Sequence, residues 1–151
     1  LKRRLIGFAS ALAVAVGGSL AVAAPAQAAP AVMITKVYYD SPGSDTGSNS
    51  SLNAEYVRLT NKRSTAINLK GWYVRDKAGY TYKFSSDYKV AAGNSIIIHT
   101  GKGTNKGTHR YWGRSWYVWN NTGDSAYLRN PSGSLIDSCT WTKRGSGYTY
   151  C

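Results

Sequence analysis

Glu55-Tyr56-Val57-Arg58-Leu59-Thr60 alternates apolar and polar side chains without a break. An extended chain sends successive side chains to opposite faces, so Val57 and Leu59 share one side while Tyr56, Arg58 and Thr60 take the other. That is a strand with one face in a core and one in water. The same habit recurs on both sides of it. Residues 32–39 predict a strand with Ile34 inward, and further strands are expected over 65–69, 72–75, 80–84, 95–99, 124–129 and 135–141. Ile96-Ile97-Ile98 is a continuous apolar run, as expected of a strand covered on both faces or near a sheet centre. Past Ala29 no stretch sustains the i, i+3, i+4, i+7 spacing of a helix. Asp76-Lys77-Ala78-Gly79 and Asn130-Pro131-Ser132-Gly133 read as tight reversals, the second with Pro at its second position. Roughly eight short strands in about 120 residues predict an all-β, antiparallel β-sandwich. A barrel is the alternative, because strand number does not separate the two. Two polar segments, 40–54 and 101–110, are too long for tight turns and are expected as loops, where binding on a β scaffold usually resides.

The amino-terminal part has a different character. Lys2, Arg3 and Arg4 precede an apolar run from Leu5 to Ala24, and Ala26-Gln27-Ala28 forms an A-x-A box. This predicts a secretory signal peptide over residues 1–28, removed after Ala28. A retained anchor is the alternative, since the run is almost long enough to span a bilayer. Gly17, Gly18, Ser19 and Pro25 favour removal, and no second apolar run follows. Residues 29–151 are therefore expected to form one exported, soluble domain without a membrane span. Of the 19 basic residues three lie in the leader, so 16 remain against 7 Asp and Glu, a net charge of +9. The length excludes a barrel of eight strand-helix units. Cys139 and Cys151 are the two cysteines, and an oxidising compartment predicts their disulfide. Closing that 13-residue loop stabilises by roughly 3 kcal/mol. Two free thiols or an intermolecular bridge are the alternatives.

Several segments in order, 53–61, 67–76, 79–84, 99–105, 119–128 and 133–137, resemble the lamin tail domain, an immunoglobulin-like β-sandwich. The most specific pieces are Leu69-Lys70-Gly71-Trp72 and Asn121-Thr122-Gly123-Asp124. Ala92-Gly93 departs from the Pro-Gly often found before the Ile strand in that family. The resemblance implies a bacterial, secreted, single-domain member acting in binding or tethering. It brings no single chemistry, and relatives in filament proteins contact proteins and DNA. Within this frame Gly71 is expected to adopt a backbone conformation closed to other residues, and Trp72 to supply a buried plate.

No active site announces itself. His99 and His109 lack a metal-ligand spacing and are expected at a strand edge and in a solvated loop. Gly101-Lys102-Gly103-Thr104-Asn105-Lys106-Gly107 lacks the order of a phosphate-binding loop. No G-x-S-x-G occurs, and Glu55 is the one glutamate, far in sequence from Asp137. Asp40, Asp45, Asn49, Asn53 and Glu55 crowd oxygen ligands into sixteen residues, so Asp40, Asp45, Asn53 and Glu55 are candidates for calcium. Otherwise they are a polar loop and a strand-edge Glu55.

Charge and aromatics give the better lead. Basic residues interleave with rings over 106–117, and Lys106, Arg110, Tyr111, Trp112, Arg114, Trp116 and Tyr117 are the candidate ligand-binding residues. Cations hold phosphates while rings stack on bases or sugars. Trp119 is assigned to the core. The expectation is a secreted, non-catalytic module binding a polyanion, either nucleic acid or an anionic cell-wall or extracellular polymer. A protein-protein tethering module is the alternative, and a small metal-dependent hydrolase or nuclease using His99 and His109 comes after it.

Overall fold

The computed structural model describes residues 29–151; the leader expected over 1–28 lies outside them. In chain order the elements are β1 (Val32–Tyr38), α1 (Asn49–Ala54), β2 (Tyr56–Asn61), β3 (Ile67–Asn68), β4 (Tyr73–Arg75), β5 (Thr81–Lys83), β6 (Lys89–Val90), β7 (Ser95–His99), β8 (His109–Tyr111), β9 (Asp124–Arg129), β10 (Leu135–Trp141) and β11 (Tyr148–Tyr150). A five-stranded sheet runs β11-β1-β2-β7-β8, a four-stranded sheet runs β10-β9-β4-β5, and β3 pairs with β6 in a two-stranded ribbon. The two larger sheets enclose one core. Val57, Leu59, Ile96 and Ile98 enter it from one sheet, and Val74, Ala126, Leu128 and Cys139 from the other. This is the sandwich, not the barrel.

All pairings are antiparallel except β7 with β8, which is parallel. The loop between them is long enough to allow it. At ~3.3 Å per extended residue it returns the chain to a point beside Ile97, and a bridge between Lys106 and His109 then turns it into β8. The helix is a second correction. Asn49–Ala54 begins on Ser48, whose hydroxyl accepts from Ser51 N–H, and it buries Leu52 alone. One buried apolar residue in six leaves no periodicity to read.

Ile96 and Ile98 are buried and Ile97 half-buried, because β7 lies between β2 and β8 and keeps one face open. Both expected reversals form, through Gly79 N–H to the Asp76 carbonyl and Gly133 N–H to the Asn130 carbonyl. The Ala92-Gly93 turn closes as well, with Asn94 N–H on the Ala91 carbonyl at 3.1 Å. Gly71 has φ +81°, yet Trp72 is only half-buried beside the core. The large buried plates are Trp119 and Trp141, edge to face at 6.0 Å, with Tyr39 stacked on Trp141 at 4.6 Å. Asp137 stands where β1 and β10 both shift register, and its carboxylate accepts the Ile34 N–H at 2.8 Å. Cys139 and Cys151 are joined with Cα atoms 5.7 Å apart. The bond runs from buried Cys139 in β10 to the residue just after β11, so it ties one sheet to the edge strand of the other.

Candidate functional site

Strand register builds a row of rings across the outer face of the five-stranded sheet. Tyr38 stands opposite Tyr148 in β11 and Tyr56 in β2. Tyr56 in turn faces His99 in β7, and His99 faces Tyr111 in β8. Successive centroids from Tyr148 to Tyr111 lie 5.5, 5.5, 6.1 and 5.0 Å apart. Beside the row, Lys36 sits between Tyr150 and Arg58. Its ammonium lies 4.2 Å from the Tyr148 centroid and within 5.9 Å of Tyr150, Tyr38 and Tyr56. Attraction to the ring faces holds the cation over the tyrosines. Arg58 Nε donates to Thr35 Oγ1 at 3.0 Å, and the hydroxyls of Thr35, Thr60 and Ser95 continue as a chain of 2.8 Å hydrogen bonds.

The histidine end of the row is more ordered than a strand edge and a solvated loop would be. His99 Nδ1 lies 2.7 Å from the Asn53 carbonyl, which can only accept, so Nδ1 carries a proton. His99 Nε2 lies 2.9 Å from His109 Nδ1. Burial lowers the His99 pKa and His109 lowers it further, against the Asn53 hydrogen bond, which raises it. Tyr111 packs against His99 and against Gly103, where a Cβ would come 2.5 Å from the ring. Only glycine lets that loop lie so close. Asn49 and Asn53, one turn apart on α1, both donate to the Lys102 carbonyl at 2.9 Å. The short helix therefore fixes the loop and supplies the Asn53 carbonyl that orients His99.

The carboxylates avoid this face. Glu55, Asp76 and Asp124 are buried. Asp40 binds Arg144, Asp87 binds Lys70, and Asp137 is used by Ile34. Among the described residues the other Lys and Arg side chains make no ion pair. The positive charge is thus turned outward while most of the negative charge is buried or engaged.

The basic-aromatic stretch 106–117 does not form one patch, because β8 alternates. Tyr111 joins the outer row. Arg110 points to the opposite side, its guanidinium 3.7 Å over the Tyr88 ring. Trp112 packs edge to face on Trp119 at 5.8 Å and on Tyr82 at 5.9 Å. Arg114 lies 4.1 Å over Tyr80. Trp116 is 62% exposed, while Tyr117 bonds Ser51 Oγ at 2.6 Å and pins the preceding loop. Lys106 is exposed and its backbone closes the turn into β8.

The calcium candidates are only partly brought together: Asp40 and Asp45 share the Asn121 amide, and Glu55 stands apart in the core. The Asn121 amide donates to Asp40 at 2.8 Å and to Asp45 at 3.2 Å, and Arg144 occupies Asp40 as well. The Asn53 amide nitrogen donates to the Lys102 carbonyl, while its buried Oδ1 has no hydrogen-bond partner. Glu55 is not at a strand edge but fully buried, accepting from Thr100 Oγ1 at 2.6 Å and from Val118 N–H at 2.8 Å. Burial pushes its pKa up to about 7 against those hydrogen bonds. Among the described residues no group of three or more His, Cys, Asp and Glu converges on one point.

Sequence reasoning missed Lys36, Tyr38, Tyr56, Arg58 and Tyr150 as site residues. The available signal was the alternation that places Tyr56 and Arg58 together on the outer face. A model of the family described as Lamin Tail Domain matches residues 25–143. No curated protein matches the chain.

Proposed function

The chain belongs to the lamin tail domain family, and we propose that it is an exported, non-catalytic module that binds a polyanion. Its domain is a binding domain on an immunoglobulin-like sandwich, which suits recognition by a surface. One observation supports the finer reading: the outer face of the five-stranded sheet carries an aromatic row with Lys36 and Arg58 and no carboxylate at its strand positions. Cations neutralise phosphates or carboxylates and release counterions. Rings take the flat faces of bases or sugars without reading sequence. Export is supported by the disulfide, which persists in oxidising compartments. No helix among the described residues is long and apolar enough to cross a membrane.

Anisotropy of a labelled single-stranded oligonucleotide tests the reading. Binding is expected at low salt with little sequence preference. The double variant Lys36→Ala, Arg58→Ala should lower affinity on the order of tenfold and flatten the log-log salt slope by about 1.4, at ~0.7 per contact. A thermal melt checks that the double variant folds. Arg110→Ala with Arg114→Ala should change binding less, because neither stands in the row: Arg110 faces Tyr88 and Arg114 faces Tyr80. No binding at low salt, or an unchanged slope in the Lys36 and Arg58 variant, would sink the reading and leave protein-protein tethering.

A further inference from the structure

We propose that His99 and His109 form a two-imidazole site for a borderline transition-metal ion, Cu2+ before others. Their facing nitrogens are 2.9 Å apart, although the residues are ten positions apart on parallel strands. Asn53 holds the His99 Nδ1 proton at 2.7 Å, which fixes the ring and presents Nε2 as a bare lone pair. A carbonyl behind the ring in this way orients histidine ligands of metals generally. With centroids 5.2 Å apart and planes within 12°, the rings meet edge to edge, and in the neutral pair one proton lies between them. A metal ion replaces that proton. The proton moves from His109 Nδ1 to its Nε2, so a neutral pair takes the ion without net proton release. His99 stays fixed, and exposed His109 swings off the shared axis to offer Nδ1 from the side.

Two imidazole nitrogens with open positions beside them suit tetragonal Cu2+ or Ni2+, whereas zinc sites draw three or four protein ligands. Among the described residues no third His, Cys, Asp or Glu converges there, so water completes the coordination. The affinity order then favours Cu2+ over Ni2+ and Zn2+.

The test titrates the chain with copper(II) chloride near neutral pH, by calorimetry and electron paramagnetic resonance, with no polyanion present. Its outcome therefore does not depend on the polyanion reading. One Cu2+ per chain is expected, with hyperfine structure from two nitrogens and weaker binding of Ni2+ and Zn2+. His109→Ala, an exposed substitution, should lower Cu2+ affinity at least tenfold and leave one nitrogen in the spectrum. His99→Gln should do the same, with folding of both variants checked by thermal melting. Equal affinity and an unchanged spectrum in His109→Ala, or no stoichiometric binding to the unaltered chain, would overturn the proposal.

Discussion

Glu55 is a carboxylate with no water to ionise into. Its Oε1 accepts from Thr100, Val118 and Trp119, while its buried Oε2 has no partner. Burial raises its pKa from 4.5 to about 7. Between those values the folded protein keeps a proton that the unfolded chain has released, so this group's contribution to stability falls as pH rises from 4.5 to 7. The loss amounts to roughly 3 kcal/mol and is complete above pH 7. Buried Asp76, also raised, adds a slope of the same sign, whereas His99, lowered by burial, adds the opposite one. Comparison with Glu55→Gln isolates the glutamate. Denaturation at pH 5 and pH 8 should show the variant gaining relative to the unaltered protein by that amount. A constant difference at both pH values would place the proton elsewhere. The burial was legible in principle: a period of two puts Glu55 on the same side as Val57 and Leu59. Charge argued for the surface, and the three hydrogen bonds that make burial tolerable come from residues 45 to 64 positions away.

At the scale of elements, the alternating strands read correctly because a half-buried strand announces both faces. β7, β9 and β10 have the expected bounds, and β2 is offset by one residue at each end. The short β6, β8 and β11 carry too few residues to show a period, β3 falls inside the strand expected over 65–69, and α1 has a single buried apolar anchor. The candidate site was legible only within a strand. Nothing in the sequence puts His99 opposite both Tyr56 and Tyr111, because pairing between distant strands is set by the folded core. The tail strand β11 lies past residue 143, where the family match ends, yet it supplies Tyr148 and Tyr150 around Lys36. Its three residues are held to β1 by one ladder and to β10 by the disulfide. Replacing both cysteines by serine should therefore cost roughly 3 kcal/mol on the loop-entropy account. It should also speed amide exchange at Thr149 and Tyr150 before exchange at Val57 and Leu59. Equal protection of β11 in the serine variant would show that the ladder alone holds the strand.

For the whole molecule, the decisive asymmetry is where the two signs of charge go. Folding buries or engages most carboxylates, while among the described residues most Lys and Arg side chains make no ion pair. The net charge from residue 29 on therefore acts as a long-range positive field. The aromatic row acts only at contact. These two ranges separate kinetically, since a field sets the rate of encounter and close contacts set the rate of escape. Stopped-flow binding of a single-stranded oligonucleotide should show an association rate that falls steeply as salt rises. Lys83 and Lys89 are exposed and lie on β5 and β6, outside the five-stranded sheet. Changing both to glutamate should slow association several-fold at low salt and leave dissociation nearly unchanged. Tyr56→Ala, in the middle of the row, should do the reverse, speeding dissociation by roughly tenfold, within the ~1–3 kcal/mol a stacked base contributes. If the charge reversal speeds dissociation as much as the tyrosine change does, the polyanion wraps the whole molecule and the sheet face is not its seat.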